Sequence, residues 1–299
     1  MLCLQDYVKN TKKQKQLGLI IPTKEELAQI QSILLEMYKD ILYVCEREKI
    51  DCFLGGGSAL GAIRHGGFIP WDDDIDLIIH RKDIFSFLKE FKKMYGDKYD
   101  VTSPSQNGDY PDIVPRIHKR GTLLVNLFDK RKIGPSGIPI DITIMDFVPN
   151  NVLLRFFHGL ISNLLFFLAN SKGMFLCRNE CSKSFFSSTI QSYVFYKFRL
   201  FIGGVLFLNY RSICLCFDKW TSLCKKSNYL TIPSGGGHYF GEILPYNVFY
   251  PLRESSFEGI KAYMPNDMDA YLRSRYGKNY MSLPPVEKRE SHPYVMLQL

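Results

Sequence analysis

The sequence has few of the features that mark secreted, fibrous or disordered proteins. Its eight cysteines among 299 residues are too sparse for a disulfide scaffold, and no CxxC pair suggests a zinc knuckle or a redox motif. The first fifteen residues hold no apolar core of the kind that a secretory signal needs. Hydrophobic residues make up 46% of the chain and charged residues 23%, which is ordinary globular usage. We therefore expect a folded cytoplasmic protein with free thiols.

The net charge of +8 is unevenly distributed along the chain. Residues 1–150 carry 21 basic and 21 acidic side chains, residues 151–230 carry 10 and 2, and residues 231–299 carry 7 and 7. The middle segment also holds 12 of the 22 phenylalanines. Composition thus predicts three parts: a first part over 1–150, a basic and aromatic-rich part over 151–230, and a C-terminal segment over 231–299.

Periodicity and capping signals predict helices mixed with strands in the first part. Thr23 followed by Glu26 forms a capping box, and apolar residues then recur at helical spacing to about residue 48. This mixture indicates an α/β or α+β core. The further predicted elements are a strand at Cys52–Leu54, helices at Ser58–His65 and Lys82–Tyr95, a strand at Asp74–His80, a hairpin of Ile113–Ile117 with Leu123–Leu127, and a strand at Ile138–Ile144.

An acidic run, Trp71-Asp-Asp-Asp-Ile-Asp76, directly precedes the apolar residues of the strand predicted at Asp74–His80. Carboxylates this close repel one another unless a cation neutralises them or some are protonated. An exposed acidic turn is the ordinary interpretation. However, the period of two along a strand places Asp74 and Asp76 on one face, where they can chelate a divalent ion.

A second acid stands alone in the strand predicted at Ile138–Ile144. Isoleucines occupy alternate positions there, so Asp141 lies on the opposite face. A carboxylate in an apolar strand is costly to desolvate without a partner, and a metal shared with Asp74 and Asp76 would provide one. Asp146 has the opposite parity, which favours Asp141 as the third acid.

A glycine-rich turn, Gly55–Gly61, lies ahead of the acidic run. Glycines that open a helix let backbone N–H groups approach an anion. The turn lacks the third glycine of a dinucleotide-binding fingerprint, where Leu60 stands, and the lysine of a phosphate-binding P-loop, where Ala62 stands. An EF-hand loop starting at Asp72 would need glycine where Leu77 stands. A glycine turn alone is usually structural, but a chelating strand fifteen residues later makes an anion site more specific.

Residues 56–76, GGSALGAIRHGGFIPWDDDID, resemble the signature of the LicD family of phosphotransferases, which is related to fukutin. Phe257–Gly259, Pro265–Asp267, Tyr276–Met281 and Leu283–Pro285 resemble the closing segment of that family. The resemblance implies an α+β fold: a nucleotidyltransferase-like mixed sheet with flanking helices. It further implies that 151–230 is an inserted helical subdomain and that 231–299 completes the catalytic domain.

The resemblance also implies roles for individual residues. Asp74, Asp76 and Asp141 would be catalytic and would bind Mg²⁺, or Mn²⁺ in its place. Gly57 and Ser58 would meet the nucleotide phosphates. Gly56, in the same turn, and Arg64, at the end of the following helix, are further candidates for phosphate contact; a surface cap is the alternative for Arg64.

The implied reaction moves phosphocholine from CDP-choline to a hydroxyl of a glycan, either a cell-surface polysaccharide or a lipid-linked precursor. The alternatives are a pentitol-phosphate transferase, a nucleotidyltransferase acting on a sugar or a protein, and a non-catalytic binding protein. A quaternary ammonium group is usually recognised by aromatic faces. The candidates are Phe68, Trp71, Tyr239 and Phe240.

The middle segment suggests contact with a membrane surface. Its longest stretch without a charged residue, 156–171, has 16 residues, fewer than the ~20 that a transmembrane helix needs. Basic residues beside aromatic ones are typical of helices that lie on an anionic bilayer. Two interpretations stay open: a helical subdomain packed on the core with a solvated basic face, and peripheral contact of a cytoplasmic protein with the inner face of the membrane. No motif indicates nucleic-acid binding.

Overall fold

The computed structural model of the chain describes residues 19–104, 113–126, 136–178, 180–187, 189–286, 289, 292 and 294–299. The helices are α1 (Lys24–Glu48), α2 (Gly56–His65), α3 (Arg81–Tyr95), α4 (Val152–Leu176), α5 (Glu180–Phe186), α6 (Ile190–Val205), α7 (Tyr210–Thr221), α8 (His238–Gly241), α9 (Tyr246–Phe249) and α10 (Met268–Tyr276). The strands are β1 (Cys52–Leu54), β2 (Asp76–His80), β3 (Tyr99–Thr102), β4 (Arg116–Lys119), β5 (Leu123–Asn126), β6 (Pro139–Phe147), β7 (Tyr229–Thr231), β8 (Leu244–Pro245), β9 (Arg253–Phe257), β10 (Ile260–Met264) and β11 (Tyr294–Gln298).

The main sheet is mixed and follows the order β1-β2-β6-β4-β3, with β7 also pairing with β6 and β8 with β7. Strands β2 and β6 run parallel, whereas β1 is antiparallel to β2 and β4 is antiparallel to both β3 and β6. Helices flank this sheet, and α4 to α7 form a helical insertion between β6 and β7. The predicted α+β class, with a mixed sheet, flanking helices and an inserted helical part, is confirmed.

Helix α1 forms as its capping signal predicts. The Thr23 hydroxyl accepts a hydrogen bond from the Glu26 amide, and the Glu26 carboxylate accepts one from the Thr23 amide. The stripe that includes Ile30, Leu34 and Met37 is fully buried in the main core, which also contains the apolar faces of α3 and β2.

The predicted hairpin is wrong. Strands β4 and β5 do not pair with each other: β4 lies between β3 and β6, and β5 pairs with β11 at the end of the chain. Both strands bury more by joining these distant partners than a two-stranded ribbon would bury alone. The last residue of the predicted hairpin, Leu127, lies outside the described residues.

The insertion contains a helix longer than the uncharged stretch suggested. Helix α4 has 25 residues and is long and apolar enough to cross a bilayer by length and composition. It extends past the sequence estimate because Arg155 and Lys172 lie within it. Helices α6 and α7 pass the same test only as a pair, which is bent by 97°. The boundaries of the three predicted parts stay a prediction.

Candidate active site

Three charged side chains form a row across the middle of the main sheet. Asp76 on β2 is the register partner of Asp141 on β6, and Asp141 is in turn the partner of Arg116 on β4. Register partners on neighbouring strands project to the same face of a sheet. The fold thus brings together Asp76 and Asp141, two of the predicted acids, although they are far apart in the chain.

Arg116 holds Asp141 in a two-point ion pair. Its Nη2 atom donates to Asp141 Oδ2 at 2.7 Å, and its Nε atom donates to Oδ1. The Asp141 side chain is 41% exposed, so the pair faces solvent at the edge of the site. Sequence reasoning missed Arg116, because the position of β4 beside β6 depends on long-range pairing.

Hydrogen bonds connect the glycine turn to the start of β2. The amide of Gly57 donates to Asp76 Oδ2 at 2.7 Å, and the hydroxyl of Ser58 accepts from the Asp76 amide at 2.8 Å. The Gly56 amide donates to the Tyr271 hydroxyl at 3.0 Å. A Cβ atom on Gly56 would overlap the Asp76 carboxylate, so only glycine fits there. Phosphate contact by these three turn residues stays a prediction.

The acidic turn lies just before β2. The strand begins at Asp76 and not at Asp74 as predicted, because Asp72 to Ile75 form a loop. The fully buried Ile75 anchors the loop to the core.

Burial and mutual repulsion raise the pKa values of three carboxyl groups at the site. Burial, followed by the charges of Asp76 and Asp73, raises the pKa of Asp72 to about 7. Burial, followed by the charges of Asp72 and Asp76, raises the pKa of Asp74 well above its ordinary value. Burial also raises the pKa of Asp76, although the hydrogen bond from Gly57 opposes the change. The site therefore brings together carboxyl groups that are costly to ionise at the same time.

Asp73 differs from its neighbours because its carboxylate is bound by residues from the end of the chain. Its carboxylate pairs with His292 Nδ1 at 2.6 Å and accepts a hydrogen bond from the Tyr294 hydroxyl, so it is buried with both oxygens satisfied. These contacts attach the C-terminal strand to the acidic turn. Sequence reasoning did not identify this pairing; the presence of a histidine close to the chain end was the only signal.

The donor chemistry of the site fits a divalent cation. Carboxylate oxygens are the ligands that Mg²⁺ prefers, and a cation would relieve the repulsion that raises the pKa values of Asp74 and Asp76. Within the described ranges, no three histidine, cysteine, aspartate or glutamate side chains already stand as a metal-binding group. Asp141 was expected to have the shared metal as its partner, but in the structure its carboxylate is paired with Arg116. The shared metal site stays a prediction.

The C-terminal segment contributes a further basic group beside the acids. Arg275 on α10 pairs with the buried Glu242 at 2.6 Å, and its charge lowers the pKa of Asp76 in opposition to burial. Tyr271 on the same helix supports the glycine turn. Helix α10 therefore lies against the site.

The remaining predicted site residues differ in their surroundings. The guanidinium group of Arg64 donates to the carbonyl groups of Tyr280 and Ser282, so it braces the C-terminal segment; phosphate contact stays a prediction. Phe68 is buried against Phe257, and the ring of Tyr239 is fully buried, so neither face is open to a choline group. The remaining two aromatic candidates are more open: Trp71 is partly exposed beneath the guanidinium of Arg289, and Phe240 is 42% exposed.

Comparisons with known proteins agree with this architecture. Residues 49–133 match the family model LicD, described as the LicD/FKTN/FKRP nucleotidyltransferase domain. The chain is 26% identical over 274 residues to the lipopolysaccharide cholinephosphotransferase LicD of Haemophilus influenzae, covering 90% of this chain and 96% of that protein. It is 45% identical over 51 residues to the human ribitol 5-phosphate transferase FKRP, covering 17% of this chain and 10% of that protein. The resemblance to the LicD family is confirmed.

Proposed function

We propose that this protein is a phosphotransferase that moves phosphocholine from CDP-choline to a glycan hydroxyl, because residues 49–133 match the family model of the LicD/FKTN/FKRP nucleotidyltransferase domain. The observation that carries the proposal is the placement of Asp76 and Asp141 side by side, next to the glycine turn that opens α2. The acceptor is a polysaccharide or its lipid-linked precursor, in line with the lipopolysaccharide named for the H. influenzae relative.

Asp74 and Asp76 would hold the divalent ion, Mg²⁺ or Mn²⁺. When bound, such an ion offsets negative charge on phosphate oxygens and on a leaving oxygen. The turn formed by Gly56, Gly57 and Ser58 would place the nucleotide phosphates at the N-terminus of α2, where the helix dipole favours an anion.

The transfer exchanges one bond at phosphorus for another. The acceptor hydroxyl oxygen forms a bond to the phosphorus that carries choline, and the bond from this phosphorus to CMP breaks. Asp141 is our candidate for the base that takes the hydroxyl proton. Arg116, which holds the Asp141 carboxylate in place, would orient it toward the acceptor.

The decisive variant is Asp76→Asn. Asparagine can still accept the hydrogen bond from Gly57, but it lacks the charge that a cation needs. We expect release of CMP from CDP-choline in the presence of Mg²⁺ and a glycan acceptor to fall ~100-fold or more. Circular dichroism and urea unfolding should stay close to the parent protein.

Asp97→Asn is the matched control, because it removes an exposed carboxylate outside the site. Its rate of CMP release should equal that of the parent protein. A well-folded Asp76→Asn protein with near-normal turnover would refute the assignment of the site.

The partial identity to FKRP favours a pentitol phosphate as the second candidate donor group. The same assay with CDP-ribitol in place of CDP-choline separates the two donors, because CMP is released in either reaction. A nucleotidyltransferase would instead consume a nucleoside triphosphate and release pyrophosphate. If none of these donors releases CMP or pyrophosphate with any acceptor, only the binding-protein alternative remains.

A further inference from the structure

Helices α4 and α6 of the insertion expose their large apolar residues and bury small or polar ones. The apolar face consists of exposed side chains of α4 and α6 together with one residue just after α6; each is 50% exposed or more: Phe156, Phe157 and Leu164 on α4, Phe198 and Phe201 on α6, and Phe207 after α6. The buried positions of α4 are His158, Gly159, Ser162, Ala169, Ser171 and Gly173. Only 22% of the most apolar stretch of α4 is buried, which is the reverse of a core helix in a water-soluble protein.

The two helices pack through their small residues. Gly203 on α6 lies directly against the backbone of Ser171 on α4, where any side chain would collide with the Ser171 carbonyl group. Close backbone approach at small residues is typical of helices that associate within lipid, because burying apolar side chains gives no advantage there. The packing therefore leaves the large side chains free to face lipid.

Basic side chains accompany this surface and have few acids to pair with. The segment 151–230 has two acidic residues, and both are engaged: Glu180 pairs with Lys183, and Asp218 pairs with Arg81 of α3. Arg199 lies 5.7 Å from the centre of the Phe167 ring, and Arg178 lies 4.1 Å from the centre of the Phe175 ring. Cations beside aromatic rings suit the boundary between acyl chains and anionic headgroups.

We propose that α4 and α6 dock onto an anionic lipid bilayer, with the apolar face in the acyl region and the basic side chains at the headgroups. An exposed apolar surface of this extent on its own would fit many partners. The segment has ten basic and only two acidic residues, and this charge favours an anionic partner. This inference concerns binding and does not depend on the identity of the donor or acceptor.

The docked insertion would stand next to the candidate active site. His158 on α4 lies 2.8 Å from the Tyr239 hydroxyl on α8, and three residues later Glu242 holds Arg275 beside Asp76. A bilayer bound to α4 would thus bring membrane-borne molecules close to the acidic turn.

Flotation of the full-length protein with lipid vesicles tests the proposal directly. Vesicles of phosphatidylcholine with phosphatidylglycerol should bind the protein at least about tenfold more tightly than vesicles of phosphatidylcholine alone. Phe201→Glu should weaken binding about tenfold or more, because it puts a charge into the acyl region. Phe85→Glu is the matched control: Phe85 is also 66% exposed but lies on α3, so binding should not change.

A second measurement guards against misfolding of the glutamate variant. In vesicles of brominated lipid, tryptophan fluorescence should be quenched more strongly in Phe201→Trp than in Phe85→Trp. Equal weakening by the two glutamate substitutions, or equal quenching of the two tryptophan variants, would overturn the proposal. So would the absence of flotation combined with a dimer that Phe201→Glu dissociates, since the apolar face would then join two copies of this chain.

Discussion

At the scale of single residues, Asp73 has a different role from the other aspartates of the acidic run. Burial and the charges of nearby carboxylates raise the pKa values of its neighbours Asp72 and Asp74, whereas Asp73 pairs with His292, 219 positions later in the chain. A buried carboxylate needs a partner, and the C-terminal segment provides it. The acidic run therefore supplies carboxyl groups to the site and also binds the C-terminal segment through Asp73.

The Asp73–His292 ion pair predicts a specific dependence of stability on pH. The hydrogen bond to Asp73, partly opposed by burial, raises the pKa of His292 to about 10 from its ordinary value of 6.5. The stabilisation is therefore complete below pH 6.5 and is lost as pH rises through about 10. Because nearly half of the His292 side chain is exposed, we expect a contribution of about 1 kcal/mol, not that of a fully buried pair.

Urea unfolding of the parent protein and of His292→Gln at several pH values measures this contribution. The difference in the free energy of unfolding should be largest at pH 6.5 and should shrink toward pH 10. His65→Gln is the control, because burial lowers the pKa of His65 and gives it no such loss in this range. A difference that is constant from pH 6.5 to pH 10 would contradict the assigned ion pair.

At the scale of elements, helix α2 begins at Gly56 and is followed by the capping residue Gly66, and the two glycines meet different constraints. Gly56 has a φ angle of 42° and faces the Asp76 carboxylate, whereas Gly66 has a φ angle of 74° and open space around it. Both positions favour glycine for conformational reasons, but only the first lacks room for a Cβ atom. The start of α2 is therefore coupled to the position of Asp76.

Alanine substitutions at the two ends of α2 separate these effects. Gly66→Ala should cost about 1 kcal/mol in the free energy of unfolding, which is the conformational penalty alone. Gly56→Ala should cost more, because Asp76 must also move, and it should slow CMP release strongly. Urea unfolding and the CMP assay provide the measurements. Equal losses of stability, with activity retained in both variants, would show that the Asp76 carboxylate is not held by the turn.

At the scale of the whole molecule, Arg81 joins the main sheet to the helical insertion. Its guanidinium group donates to both oxygens of the buried Asp146 at 2.7 and 2.8 Å, and to Asp218 and Thr221 on α7. Asp146, which the parity argument set aside as a third acid, thus pairs with Arg81 in the fold. The insertion is attached through charge as well as through packing.

Arg81→Met should be strongly destabilising, because it leaves Asp146 buried without a partner. We expect a loss of about 3–5 kcal/mol in the free energy of unfolding. Asp218→Asn should cost much less, because it keeps the bonds between Arg81 and Asp146. Urea unfolding compares the two, and a similar small loss in both would show that the Asp146 pair contributes little.

Much of the local structure and part of the site followed from the sequence alone. The capping box at Thr23, the helical stripe of α1, the short strand β1 and the glycine-opened α2 depend on residues a few positions apart. The choice of Asp141 over Asp146 as the third acid rested on alternation along one strand; the register places Asp141 beside Asp76, and its role in a metal site stays a prediction. These features are decided by near neighbours, which a sequence displays directly.

Only the tertiary structure decided which distant segments meet. Pairing of β4 with β6 placed Arg116 against Asp141, and pairing of β5 with β11 replaced the expected hairpin. The contact of His292 with Asp73 depends in the same way on the return of the chain end. Local patterns specify that a strand forms, but its partner is the one that buries the most apolar surface and satisfies the most polar groups, and that choice involves the whole chain at once.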